Sequence, residues 1–195
     1  MNFQRICVFC GSNSGINPAY HSAAVAMGQL LAERRIALVY GGGNIGLMGV
    51  LADTVLESRG RVTGIIPESL MAREVGHTGL TELRIVKSMH ERKALMADLS
   101  DGFIAMPGGF GTFEEFCEVV TWSQLGIHAK PCGLLNVEGY YDPLLGLFDH
   151  SVREGFLREE NRQLVLQDRD PERLLEKMAL FRAPVTGKWI GWDER

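Results

Sequence analysis

The chain carries no surplus of positive charge, no long apolar run, and too few cysteines and histidines to build a stapled or metal-held fold. Twenty Lys and Arg against 24 Asp and Glu leave a formal charge of −4. That balance offers no basic field for nucleic acid and no polybasic stretch for a membrane surface. No segment has the apolar length of a membrane span, and the opening Met-Asn-Phe-Gln-Arg-Ile-Cys-Val-Phe-Cys is too short in apolar residues for a signal peptide. These absences predict a cytoplasmic protein with small-molecule partners. The histidines His21, His77, His90, His128 and His150 are scattered without ligand spacing, so no zinc site is expected, with His90 alone kept open. No carboxylate cage is evident either, and neither a metal nor a cofactor is expected, with a magnesium ion held with the phosphate by Glu74, Asp98, Glu114 and Glu115 left open.

Cys7 and Cys10 do form a Cys-x-x-Cys pair. A redox pair normally opens a helix, whereas this one lies in a strand-like run where residues three apart point to opposite faces. With Cys117 and Cys132 they read as buried structural thiols.

What the sequence does contain is an apolar content of 46% over 195 residues, enough to bury a core without staples. Strand-like runs at 5–10, 36–40, 61–66, 102–106 and 131–137 alternate with stretches of helical periodicity. This predicts a single α/β domain over 1–195, a doubly wound, Rossmann-like, mostly parallel sheet with helices on both faces. Asn17-Pro18 opens the first helix, and Ala24, Met27, Leu30 and Leu31 keep one face toward the sheet. In such a sheet ligands collect beyond the carboxyl ends of the strands, where strand order reverses. Glycine-bearing loops follow three of the runs, from Cys10, from Gly41 and from Pro107. The stretch 67–79, with Glu74 inside it, reads as an excursion over the ligand face. The stretch 171–181 reads as helical, and 184–195 as irregular.

The third loop is the most telling. Pro107-Gly108-Gly109-Phe110-Gly111-Thr112 runs from an apolar strand into a helix, so backbone N–H groups and the helix start form an anion site. Glu115 then places a carboxylate close to where a phosphate would sit. One reading makes it the reverse arm of a capping box with Thr112, and the other makes it a chemical group. In either role a helix start favours an ionised carboxylate.

Ser88 and Glu91 form a second capping box, and Arg92 and Lys93 follow in the same turn, where positive charge opposes the helix dipole. They are either ligand-facing cations or solvated ones. Gly41-Gly42-Gly43-Asn44-Ile45-Gly46 matches G-x-G-x-x-G, with Glu68 spaced to hold a ribose hydroxyl, but it follows the second strand rather than the first. Dinucleotide binding, tight strand-to-helix packing and a mononucleotide pocket all remain open for it. The helix from Phe113 has apolar residues around most of its circumference, which predicts a subunit interface and a homodimer.

Together these residues resemble a known family. Pro107-Gly108-Gly109-Phe110-Gly111-Thr112-Phe113-Glu114-Glu115 resembles the P-G-G-x-G-T-x-x-E signature of the LOG ("Lonely Guy") family of cytokinin riboside 5'-monophosphate phosphoribohydrolases, long mislabelled lysine decarboxylases. Met89-His90-Glu91-Arg92-Lys93-Ala94 is similar to the family's second signature, and the loops at Cys10-Gly11-Ser12 and Gly41–Gly49 to its first two. The likeness covers about residues 5–157. Phe110 stands where many relatives have tyrosine, and Glu91 where glutamine is common.

The resemblance implies hydrolysis of the N-glycosidic bond of adenosine-type 5'-monophosphates, an AMP nucleosidase or cytokinin-activating reaction that releases base and ribose 5-phosphate. Arg92 and Glu115 take the catalytic positions. Gly11, Ser12, Gly42, Gly43, Glu74, Met89, Lys93, Gly108, Gly109, Phe110, Gly111, Thr112, Glu114 and Thr121 fall at substrate-binding ones. Backbone amides would hold the 5'-phosphate while Glu115 stabilises positive charge at the anomeric carbon and orients water, and Arg92 steadies phosphate or departing base. A pyridoxal decarboxylase is excluded, because Lys93 lacks the setting of a Schiff-base lysine. The rival class is a non-catalytic nucleotide or molybdenum-cofactor carrier of the same fold, which would have no need of the Arg92 and Glu115 pair.

Overall fold

A computed structural model describes residues 3–71 and 76–184. Seven parallel strands form one sheet in the order β4-β3-β2-β1-β5-β6-β7: β1 Arg5–Phe9, β2 Ala37–Tyr40, β3 Val62–Pro67, β4 Glu82–Val86, β5 Gly102–Ala105, β6 Cys132–Leu135 and β7 Val165–Asp168. The chain winds outward from β1 to β4 on one side and from β5 to β7 on the other. The order therefore reverses between β1 and β5, and a crevice opens beyond their carboxyl ends.

The two faces follow from the period-2 alternation of the strands. Ile6, Val8 and Cys10 bury against α1 (Pro18–Glu33), α2 (Gly46–Glu57) and α8 (Pro171–Leu180). Cys7 and Phe9 bury on the opposite face with α4 (Met89–Leu99), α5 (Phe110–Gln124) and α6 (Asp142–Arg153). The two cysteines thus belong to different cores, and burial raises both thiols well above the usual range. Short helices α3 (Glu68–Met71) and α7 (Glu159–Arg162) complete the set.

The sheet is wider than the five apolar runs suggest. The two extra strands, β4 and β7, are its edges, and each leaves part of its length exposed or half-buried. An edge strand covered on fewer sides needs fewer apolar residues, so Glu82 and Arg84 sit within β4 and Gln167 within β7.

Loops at the carboxyl ends are tied to one another. The Gly11 amide donates to the Pro107 carbonyl at 3.0 Å, and the Leu47 amide to the Gly11 carbonyl at 3.0 Å. Tyr140 and Tyr141 reach back from the start of α6, their hydroxyls donating to the carbonyls of Gly108 at 2.5 Å and Met106 at 2.7 Å. Gly46 is the tightest joint. It has φ +60°, and a Cβ there would fall 2.3 Å from the Ser12 carbonyl carbon. Gly46→Ala therefore combines a left-handed backbone with a backbone clash and should lower stability by at least about 2 kcal/mol. Gly146→Ala, within α6 and with no atom near the added methyl, should raise it by about 0.5–1 kcal/mol. Urea denaturation of both variants checks the pair, and equal effects would refute the close-approach account.

Candidate active site

A cleft of about 240 Å³ opens at the switch point. Its wall on one side is the start of α5. That helix begins at Phe110 with Gly109 as N-cap and no side-chain cap. The amides of Phe110, Gly111 and Thr112 are thus its first three and have no intrahelical acceptors. Gly109, Phe110 and Gly111 are all exposed, and no atom lies within 4 Å of where a Cβ on Gly109 or Gly111 would stand. A glycine-lined helix start left open in this way suits a phosphate.

The early helix start corrects one expectation. Thr112 occupies the third helical position rather than the N-cap, so the capping box with Glu115 does not form. Glu115 lies beyond the first turn, only 8% exposed. The expectation that it stays fully ionised is corrected too. Burial pushes its carboxyl up to about 7, against a smaller downward pull from Arg92. The second box forms in part: Ser88 Oγ accepts from the Glu91 amide at 3.1 Å, while Glu91 Oε2 accepts from the Lys87 amide at 2.8 Å, one residue before the N-cap.

That second cap starts α4 and sets Arg92 on its inner side, 7% exposed. The guanidinium has little to bond with. Nη2 stands 3.6 Å from Glu115 Oε1, too long for a good hydrogen bond. Nη1 meets the Met89 sulfur at 3.6 Å, and Nε is buried without a partner. Room for the group comes from Gly41, where a Cβ would lie 2.0 Å from Nη2. The glycine run after β2 is therefore explained mainly by close approach, with Gly41 against Arg92, Gly46 against Ser12, and Gly49, whose Cβ would meet the Asn44 carbonyl oxygen at 2.2 Å.

Of the residues singled out in the sequence, Gly11, Ser12, Met89, Arg92, Gly109, Phe110, Gly111, Thr112, Glu114 and Glu115 line this cleft. Gly108 lines an adjoining recess of about 200 Å³ that also borders Gly11, Ser12, Tyr20 and Tyr140. Gly42 and Gly43 serve the loop's own architecture: the Gly42 carbonyl accepts from the His77 amide at 3.1 Å, and Gly43 bridges Gly76. Lys93 bonds Glu114 at 2.5 Å and Glu118 at 3.0 Å and does not itself line the cleft. Thr121 is exposed two turns further along α5 and donates to the Cys117 carbonyl. Glu74 lies outside the described residues.

Val8, Phe9, Met48 and Met96, which also line the cleft, were not singled out, and Cys10 and Gly41 entered only as members of the glycine loops. Met96 was within reach, since Met89, Arg92 and Met96 are spaced i, i+3 and i+7 on one helical face. Among the described residues no group of three His, Cys, Asp or Glu is placed to hold a metal. A larger cavity, about 510 Å³, lies at the opposite end of the sheet between α1 and α8. It offers apolar walls and the exposed Arg34–Glu172 pair, with no buried titratable group to do chemistry.

Comparison with known proteins bears on this geometry. The family model described as "Possible lysine decarboxylase" matches residues 48–178. A probable cytokinin riboside 5'-monophosphate phosphoribohydrolase of Oryza sativa subsp. japonica is 55% identical, covering 92% of this chain and 80% of its own length. The rice enzyme named LOG is 49% identical over 99% of this chain and 79% of its own. A third such enzyme, from Arabidopsis thaliana, is 48% identical over 98% and 89%. Among solved structures, the molybdenum cofactor binding protein of Rippkaea orientalis superposes with a TM-score of 0.68 at 20% identity, covering 92% of this chain and 97% of that one. The molybdenum cofactor carrier protein of Chlamydomonas reinhardtii gives 0.65 at 16%, covering 91% and 98%. At those identities the two structures establish a shared fold and no more, whereas identities near one half along almost the whole chain place it in a family: the chain belongs to the LOG family of cytokinin riboside 5'-monophosphate phosphoribohydrolases.

Proposed function

We propose that the chain, as one cytoplasmic nucleotide-binding domain, hydrolyses the N-glycosidic bond of adenosine-type 5'-monophosphates, cytokinin ribosides among them, to free base and ribose 5-phosphate. The observation that carries this reading is the buried, under-bonded Arg92 guanidinium facing the buried Glu115 carboxylate across one cleft, beside the open start of α5. A binder of anions gains nothing from a buried carboxylate there. The likeness to molybdenum-cofactor proteins is one of fold.

In this reading the 5'-phosphate accepts from the amides of Phe110, Gly111 and Thr112. The sugar then lies over Glu115, whose ionised form stabilises positive charge as the C1'–N9 bond breaks and orients the water that attacks C1'. The free N–H groups of Arg92 bond the departing base or the phosphate. Met89 and Phe110, 40% and 92% exposed, give the mouth an apolar rim suited to an apolar substituent on the base. Phosphate-dependent binding predicts turnover of AMP or a cytokinin riboside monophosphate well above that of the matching nucleoside. An assay of base release at matched concentrations checks it, and equal turnover counts against the site.

Glu115→Gln and Arg92→Ala should each lower kcat by at least about a hundredfold with the fold retained. Because Glu115 must be ionised to act and its carboxyl sits near 7, kcat should fall tenfold per pH unit below that value. A flat profile between pH 5 and 8 rejects Glu115 as the charged group.

The same reading includes a homodimer. Phe113, Val120, Trp122 and Leu125 on or next to α5 are only part-buried, and Leu147 and Phe156 are exposed. Light scattering at micromolar concentration should give twice the chain mass, and a fully active monomer would overturn the assignment.

A further inference from the structure

The Arg92–Glu115 pair is flanked, on the same two helices, by a second ionic set that the proposed reaction does not use. Lys93, next to Arg92 on α4, reaches Glu114 at 2.5 Å and Glu118 at 3.0 Å on α5. Its side chain is only 10% exposed, so the contact with Glu118 lies largely out of water, whereas Glu114 is 56% exposed and its contact is screened by solvent. Glu118 is a quarter exposed, yet its Oε2 is buried with no hydrogen-bond partner. One ammonium between two carboxylates leaves the set with one net negative charge, adjacent in sequence and within one helical turn of Glu115. Lys93 does not itself line the cleft, although Glu114, one of the carboxylates it holds, does.

We propose that Lys93 is a positioning residue: by clamping Glu114 and Glu118 it fixes α4 against α5 beside the Arg92–Glu115 pair and shields Glu115 from two neighbouring carboxylates. This rests on the reading of Glu115 as the catalytic carboxylate and extends it, because the reaction needs that carboxylate ionised.

The charges around Glu115 come from three elements. Arg92 and Lys93 of α4 favour its ionised form, while Glu114 and Glu118 of α5 oppose it. Cys7 in the middle of β1 and Cys10 just beyond its end are thiols whose titration burial raises far above neutral, so they add no charge at working pH. Removing Lys93 deletes one favourable charge and leaves two unfavourable ones uncompensated.

The test is a titration cycle over Lys93→Met, Glu118→Gln and the double variant. The Glu115 carboxyl is followed by carbon NMR in ligand-free protein, with its signal assigned from Glu115→Gln, and the pH profile of kcat is followed in parallel. Lys93→Met should move both the NMR midpoint and the acid limb of kcat upward by at least about half a pH unit. Glu118→Gln should move them downward, and the double variant should return toward the parent. An unmoved midpoint in Lys93→Met, or an upward one in Glu118→Gln, overturns the proposal. So does a Lys93→Met enzyme with an unchanged profile and a raised KM, which would make Lys93 a direct substrate contact. If Lys93→Met does not fold, the Glu118→Gln midpoint decides alone. The NMR arm needs no substrate, so a protein that turns over no nucleotide would reject the proposed reaction while still judging this inference.

Discussion

A guanidinium and a carboxylate buried together at a distance too long for a good hydrogen bond are the constraint on which the rest of this structure depends. Taking two charges from water costs several kcal/mol each, and their attraction offsets that only when geometry is close and the remaining donors are satisfied. At 3.6 Å, with Arg92 Nε unpartnered, neither condition holds. The surroundings must therefore hold the two groups in place. Gly41 removes the side chain that would collide with Nη2, the Ser88 cap fixes the start of α4, and burial of Phe116 and Val119 anchors α5 against the sheet.

The loops obey the same demand for fixed geometry. Loops at strand ends are ordinarily the mobile part of a fold, yet here each borrows rigidity from the next. Gly11 bonds Pro107, Leu47 bonds Gly11, and two tyrosine hydroxyls from just before α6 tie down the carbonyls on either side of Pro107. These bonds take up the carbonyls of Met106, Pro107 and Gly108 and leave the first amides of α5 open. Donors that already point outward need no rearrangement when an anion arrives.

The sequence made the inner sheet readable because β1, β2, β3, β5 and β6 are buried on both faces and so appear as apolar runs. Glu82, Arg84 and Gln167 hid the edge strands for the opposite reason. At the site, residue types with unusual demands were visible: the glycines, and Arg92 set against a helix dipole. Met48 and Met96 were not, since they look like any core methionine until topology brings them to a cleft. Glu115 was found for its chemistry but misjudged in its charge, because Thr112-x-x-Glu115 imitates a capping box. Only the helix beginning at Phe110, which the local pattern leaves ambiguous, takes Glu115 out of the first turn and into the interior.

That early start also explains the spacing of the motif. Glu115 is three to five positions beyond the open amides of Thr112 to Phe110, a rise of about 4.5–7.5 Å at 1.5 Å per residue. This is the scale of a single sugar ring between its 5'-phosphate and its anomeric carbon. Thr112 and Glu115, at i and i+3, share a helical face, and both are buried toward the cleft. One rigid helix can then carry the phosphate site at its first turn and the carboxylate at its second, with the distance between them set by backbone geometry. Arg92, supplied by a different helix, is the element that must be brought into register, which is where the ties between α4 and α5 act.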